Sequence, residues 1–232
     1  LKIQNTPYLK TIIHISGIIE EYKMQSFNIT KSGKILALNT SSLFIIYAIN
    51  FLLSLVNLPK LISIYGVNGW GEITFIQIIV NYLVWIIDWS FPQFSCKLIS
   101  VNENNNDSQQ KIFTKTITSQ FILLLLSTII LILFSIFFYE YKNAFLFGIL
   151  ILFGNFLQPY WYLNGREKIY ESALFQLLNK SIFSLFIFSL LKNDQVFVYF
   201  LFYGIANLLT GVILSMRLIN KYEISYIMGD LK

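Results

Sequence analysis

The chain has 232 residues, is 56% hydrophobic and 12% charged, and carries a formal charge of +5 with a mean hydropathy of +0.63. A soluble domain carries nearer 25% charged residues. A water-facing surface built from this sequence would expose too much Leu, Ile and Phe, which excludes an ordinary soluble enzyme and leaves the lipid bilayer as the solvent.

Residues 1–34 read as a cytoplasmic amino-terminal segment. Its apolar stretch at 11–19 is too short to span, and no small-residue cleavage site follows it. Met24 precedes a basic leader, Gln25-Ser26-Phe27-Asn28-Ile29-Thr30-Lys31-Ser32-Gly33-Lys34. That pattern suggests Met24 as the start, with residues 1–23 upstream of it; an ordinary cytoplasmic tail is the alternative.

Six apolar runs follow, at 35–56, 73–91, 116–138, 144–163, 172–191 and 196–216. A helix needs roughly 20 apolar residues to cross a hydrocarbon core about 30 Å thick. The runs are continuous, not ten-residue alternations, so they fit helices and not a closed barrel. The fold class is therefore all-α: a polytopic membrane protein with a six-helix membrane region at 35–216. The predicted outer connections, 57–72, 139–143 and 192–195, are short. The inner connection at 101–115 is rich in Asn and Gln and reads as a mobile loop. Residues 217–232 read as a cytoplasmic carboxy-terminal end. No internal repeat is apparent.

Charge gives the orientation. With the amino terminus inside, the inner segments hold 13 of the 17 basic residues and the outer loops hold only Lys60, Lys142 and Lys192. Positive charge marks the cytoplasmic side, so both termini are expected there. The basic excess is then topology and not a nucleic-acid footprint. Cys96 and His14 are each the only residue of their type, so neither a disulfide nor a metal site is expected.

Only Asp88 and Lys180 place charge inside the six runs. Lys180 is the ninth of twenty residues in its run, near mid-membrane. A cation there costs about 2.5–3.5 kcal/mol on insertion scales, and it usually faces a bundle interior or a wet cavity. It suits a counter-charge for an anionic group such as phosphate, or a side chain that pairs locally or snorkels. Asp88, late in the second run, could relay a proton or hold a coupling Na+; otherwise it is an interfacial acid. Asn50, Asn57, Asn81, Asn155, Gln158, Asn179 and Asn207 are expected to point inward as interhelical hydrogen-bond partners, some of them lining a polar cavity. Tyr160-Trp161-Tyr162 reads as an interfacial aromatic belt, and Pro159 as a helix break.

Three segments carry a family resemblance. Tyr65-Gly66-Val67-Asn68-Gly69-Trp70-Gly71, followed by Phe75-Ile76-Gln77, resembles a Gly-rich turn that leads into a second helix. Asp88-Trp89-Ser90-Phe91 is similar to an Asp-Phe-Gly-Phe pattern, and Lys97-Leu98 stand where that pattern continues with Arg-Glu. Asn155 and Pro159, Trp161, Gly165, Glu167-Lys168 and then Asn179-Lys180 complete the set. Together they resemble the Wzx-type polysaccharide-export flippases of the multidrug/oligosaccharidyl-lipid/polysaccharide superfamily. The departures are Ser90 for Gly, Lys97 for Arg and Leu98 for an acid.

That resemblance implies a transporter that flips lipid-linked oligosaccharide repeat units, of the undecaprenyl-pyrophosphate type, across a bacterial inner membrane. Candidate substrate-binding residues are Lys180, Asp88, Asn155, Lys168 and Arg166. No cofactor is expected beyond a possible coupling proton or Na+. Family members have two six-helix lobes, so this chain would be the amino-terminal lobe, completed by a missing carboxy-terminal lobe or by a second copy. Competing readings are a drug or small-molecule exporter on the same fold, a truncated remnant that does not transport, and a membrane enzyme. The short outer loops, with only Glu72, Glu140 and Asp194 as acids, argue against the enzyme.

Overall fold

The computed structural model describes residues 7–103, 105–191 and 195–224, with side chains at residue 40 and from residue 43 onward. The proposed start at Met24, the lone His14 and most of the predicted connection at 192–195 lie outside the described residues or side chains. The chain divides into two compact units, Leu1–Ile45 and Ile46–Lys232. The first is helical from residue 7 onward. The account below concerns the second.

All regular structure among the described residues is helical. The order is α1 (Pro7–Asp88), α2 (Phe91–Val101), α3 (Asn106–Phe137), a 3-10 turn (Tyr139–Tyr141), α4 (Lys142–Phe156), α5 (Tyr160–Gly165), α6 (Ile169–Ser189) and α7 (Val196–Tyr222). Five stretches are long and apolar enough to cross a membrane: Leu43–Val101, Asn106–Phe137, Tyr139–Gly165, Ile169–Ser189 and Val196–Tyr222. The protein is therefore a multi-pass membrane protein. The first two of the six expected spans both fall in the 59-residue stretch, which is long enough for two crossings and is broken at Gly66.

Two predicted connections are shorter than expected. Residues 57–72 carry Pro59 and three glycines, which is why they read as a connection. In the structure Pro59 sits inside α1, and the break is confined to Gly66 (φ 68, ψ 177). That conformation is essentially reserved for glycine. At 101–115 only a short turn follows α2. Asn105 caps α3, its Oδ1 accepting from the Ser108 amide at 3.0 Å. The Asn-rich run thus supplies a helix start at Asn105, because a short amide side chain satisfies an orphan N–H of the first turn. The predicted break at Pro159 is present, between the end of α4 at Phe156 and the start of α5 at Tyr160.

Burial inverts the soluble pattern, as lipid allows. The inward stripe of α3 runs through Gln109, Phe113, Thr116, Gln120, Leu124, Ser127, Leu131 and Ser135, while Ile122, Ile129 and Phe137 are exposed. Small and hydroxyl residues let membrane helices approach closely and bond across the gap. Ser95 and Thr116 do so at 2.9 Å. The closest approach is α4 against α7. A Cβ built on Gly154 would lie 2.5 Å from Asn207 Cβ, and one on Gly211 would lie 2.8 Å from Leu157 Cβ.

Not all expected orientations hold. Asn50, Asn57, Gln158 and Asn207 are buried, but Asn81 is exposed on the face that also presents Tyr82 and Trp85. The predicted aromatic belt is mostly core. Trp161 and Tyr162 are buried against Phe113, with ring centroids 5.5 Å from it in both cases.

Candidate substrate cavity

Three helical faces meet around a cavity of about 580 Å³. Ser54, Asn57, Leu58 and Leu61 come from α1, at the spacing of one helical face. Gln176, Asn179, Lys180 and Phe183 come from α6 at the same spacing. Tyr199, Tyr203 and Asn207, four residues apart, come from α7. Trp70 and Gln77 of α1, Asn155 of α4, Gln158 and Tyr160 close the wall. Seven of the sixteen lining side chains are carboxamides, one is a cation, and none is an acid.

The carboxamides are wired to each other. Gln158 Nε2 donates to the Asn207 carbonyl at 2.7 Å, and Tyr160 donates to Gln158 Oε1 at 2.7 Å. Asn179 Nδ2 donates to Asn207 Oδ1 at 3.0 Å. The Asn179 Oδ1 atom is buried and has no hydrogen-bond partner. Such an acceptor is costly unless something bonds it. On the aromatic side, Trp70 meets Tyr199 edge-on at 6.3 Å, and Tyr199 donates to Gln77 Oε1 at 3.0 Å.

Lys180 lines this cavity, as its position in the span leads one to expect. Its Nζ donates to the Asn50 carbonyl at 3.1 Å and to Ser54 Oγ at 3.0 Å, both on α1. Both acceptors are neutral. Among the described residues the ion pairs are those of Glu171 with Arg217 and Lys221, so the Lys180 charge meets no carboxylate. Beside it, Ser184 donates to Asn57 Oδ1 at 2.8 Å. The α1–α6 seam is therefore polar along two turns.

The other candidate residues divide. Asn155 lines the cavity and turns its Nδ2 to Asp88 Oδ1 at 3.4 Å. Gln120 Nε2 donates to the same oxygen, also at 3.4 Å. Asp88 thus stands behind the wall, held by two long carboxamide bonds and no cation. Ser90, where the family pattern has Gly, has φ −104 and needs no special freedom; the left-handed residue of that turn is Trp89, at φ 42. Arg166 and Lys168 do not line the cavity. Arg166 donates to Gln109 Oε1 at 3.2 Å and to the Tyr162 hydroxyl at 3.1 Å, and lies 5.0 Å from the centre of the Tyr222 ring. Lys168 is exposed at the start of α6.

Sequence reasoning missed Trp70, Gln77, Gln176, Tyr199 and Tyr203 as cavity residues. The four-residue spacing of Tyr199, Tyr203 and Asn207 was the available signal. The model of the polysaccharide biosynthesis protein family matches residues 36–227. The chain belongs to that family. It is also 28% identical, over 180 residues, to an Escherichia coli (strain K12) protein named "Putative O-antigen transporter". The match covers 75% of this chain and 43% of the relative, so the chain spans less than half of that relative's length. No solved structure matches. The family is the one to which the three sequence segments point, and all three contribute to the cavity or its surroundings: Trp70 and Gln77 from the first, Asp88 from the second, Asn155, Asn179 and Lys180 from the third.

Proposed function

We propose that this chain is one lobe of a transporter that flips lipid-linked oligosaccharide repeat units, of the undecaprenyl-pyrophosphate type, across the bacterial inner membrane for cell-surface polysaccharide biosynthesis. The observation that carries this reading is Lys180. An ammonium held only by neutral acceptors, in a cavity lined by no acid, is free to meet the diphosphate of a lipid carrier. An ammonium–phosphate contact adds a charge–charge attraction that its present bonds to a neutral carbonyl and a neutral hydroxyl lack. The carboxamide wall suits sugar hydroxyl and N-acetyl groups, with Asn179 Oδ1 as a ready acceptor, and the tyrosines offer rings and hydroxyls to the same ligand. A lone cation also disfavours export of organic cations on this scaffold.

Alternating access would carry the cavity from one membrane face to the other. In this reading the chain acts with a second lobe, either a carboxy-terminal one or another copy, and performs no covalent chemistry. Both termini are cytoplasmic, as the basic bias of the connections implies. Asp88 couples the cycle to a proton or Na+. An intramembrane carboxylate bonded only by carboxamides supports this, since protonation or cation binding would relieve its unpaired charge. Arg166 and Lys168 stand away from the cavity and meet the substrate only at its entry. The test is polysaccharide display on cells whose complete transporter carries Lys180→Met or Lys180→Arg. Display is lost with Met and partly kept with Arg. Equal display by both variants and the parent overturns the role of Lys180.

A further inference from the structure

A second cavity, of about 550 Å³, shares no residue with the first. It is a trough along α6, floored by Leu174, Phe175, Leu178 and Ser181 and closed at one end by Glu171 and by Arg217 of α7. From Glu171 to Ser181 the helix rises about 15 Å, half of a hydrocarbon core about 30 Å thick. The trough is therefore as long as one leaflet is deep. At its closed end the Glu171 carboxylate accepts from Arg217 Nε at 3.0 Å, from Lys221 Nζ, and from the Tyr222 hydroxyl at 3.3 Å. Two cations meet one carboxylate, which leaves a net positive charge. Both cationic side chains stay nearly half exposed, at 45% and 44%.

We propose that this trough binds an anionic glycerophospholipid, with one acyl chain along α6 and the phosphate against Arg217 and Lys221. The apolar floor matches a chain, and the ends of α6 and α7 put the two cations at headgroup depth. Basic pockets between membrane helices bind anionic headgroups in this way. Glu171 fixes the two cations beside each other and leaves their remaining donors for phosphate. The trough would hold such a lipid whatever the first cavity carries.

The experiment is native mass spectrometry of the purified full chain with phosphatidylglycerol, phosphatidylcholine and undecaprenyl phosphate. One excess cation near the surface is worth about 1 kcal/mol, or about fivefold in affinity. The expected result is one retained phosphatidylglycerol, favoured about fivefold over phosphatidylcholine. Arg217→Gln with Lys221→Gln abolishes that preference. Leu178→Trp fills the trough, leaves the three charged residues in place, and lowers retention of both phospholipids. Equal retention of the two phospholipids by the parent chain overturns the proposal. So does unchanged retention by Leu178→Trp, which decides the matter if the double variant fails to fold. Displacement of phosphatidylglycerol by undecaprenyl phosphate overturns it too, because the trough would then belong to an isoprenoid tail.

Discussion

Gly154→Ala is a one-methyl change that should do disproportionate damage. Its Cβ would lie 2.5 Å from Asn207 Cβ, 2.7 Å from the Asn207 carbonyl carbon and 2.9 Å from the Leu208 amide nitrogen. Carbon atoms rest about 3.5–4.0 Å apart, so α4 and α7 must separate by about 1 Å. Two of the three atoms are main chain and cannot rotate away. Overpacking of this kind costs about 1–3 kcal/mol, roughly a 5- to 150-fold shift toward unfolded protein. Asn207 would move with α7, loosening its bonds to Gln158 and Asn179, so transport should fall as well as stability. The single cysteine gives the assay. Cys96 is half-buried, and its labelling by a thiol-reactive dye during heating in detergent reports unfolding. Gly71→Ala is the control, since a Cβ there meets nothing within 4 Å and alanine favours a helix by about 0.5–1 kcal/mol. The expected order of melting is Gly71→Ala at or above the parent chain and Gly154→Ala below it. Identical melting of all three would refute the tight α4–α7 crossing at Gly154.

Gly66→Ala should cost about 1–3 kcal/mol, because φ 68 with ψ 177 is closed to a side chain; the same dye assay reads it. Gln109→Leu removes the buried carboxamide whose Nε2 holds the Asn102 and Glu103 carbonyls at 2.9 and 3.0 Å and whose Oε1 receives Tyr162 and Arg166. It should cost about 1–3 kcal/mol and speed limited proteolysis within 102–105; an unchanged cleavage rate contradicts this. Asp88→Asn should leave transport indifferent to collapse of the ion gradient. Persistence of the gradient dependence would remove the coupling role.

Much of the fold was legible because lipid imposes a simple rule: long apolar runs become helices. What failed were the interruptions. Pro59 and the glycines of 65–71 look like a loop, yet a helix tolerates a proline when neighbouring groups take up the freed carbonyl, and only Gly66 breaks. The run around Asn105 looks mobile, yet one carboxamide caps α3. Inside uniformly apolar spans, periodicity says little about which side faces inward, which is why Asn81 was misjudged; Tyr199 was missed although its spacing with Tyr203 and Asn207 marks one face. Charge was a better guide. Lys180 is costly anywhere but at a polar surface, and the cavity is where it lies. Arg166 and Lys168 had no such constraint, being outside the apolar runs, and their placement could not be read.

The most direct measurement is flipping in proteoliposomes by the transporter of which this chain is proposed to be one lobe, with an undecaprenyl-pyrophosphate-linked oligosaccharide and an organic cation as alternative cargoes. The oligosaccharide lipid should cross, Lys180→Met should stop it and Lys180→Arg should slow it, and the cation should not be moved. Transport of the cation without the lipid, or flipping that ignores Lys180, would contradict the proposed flippase role.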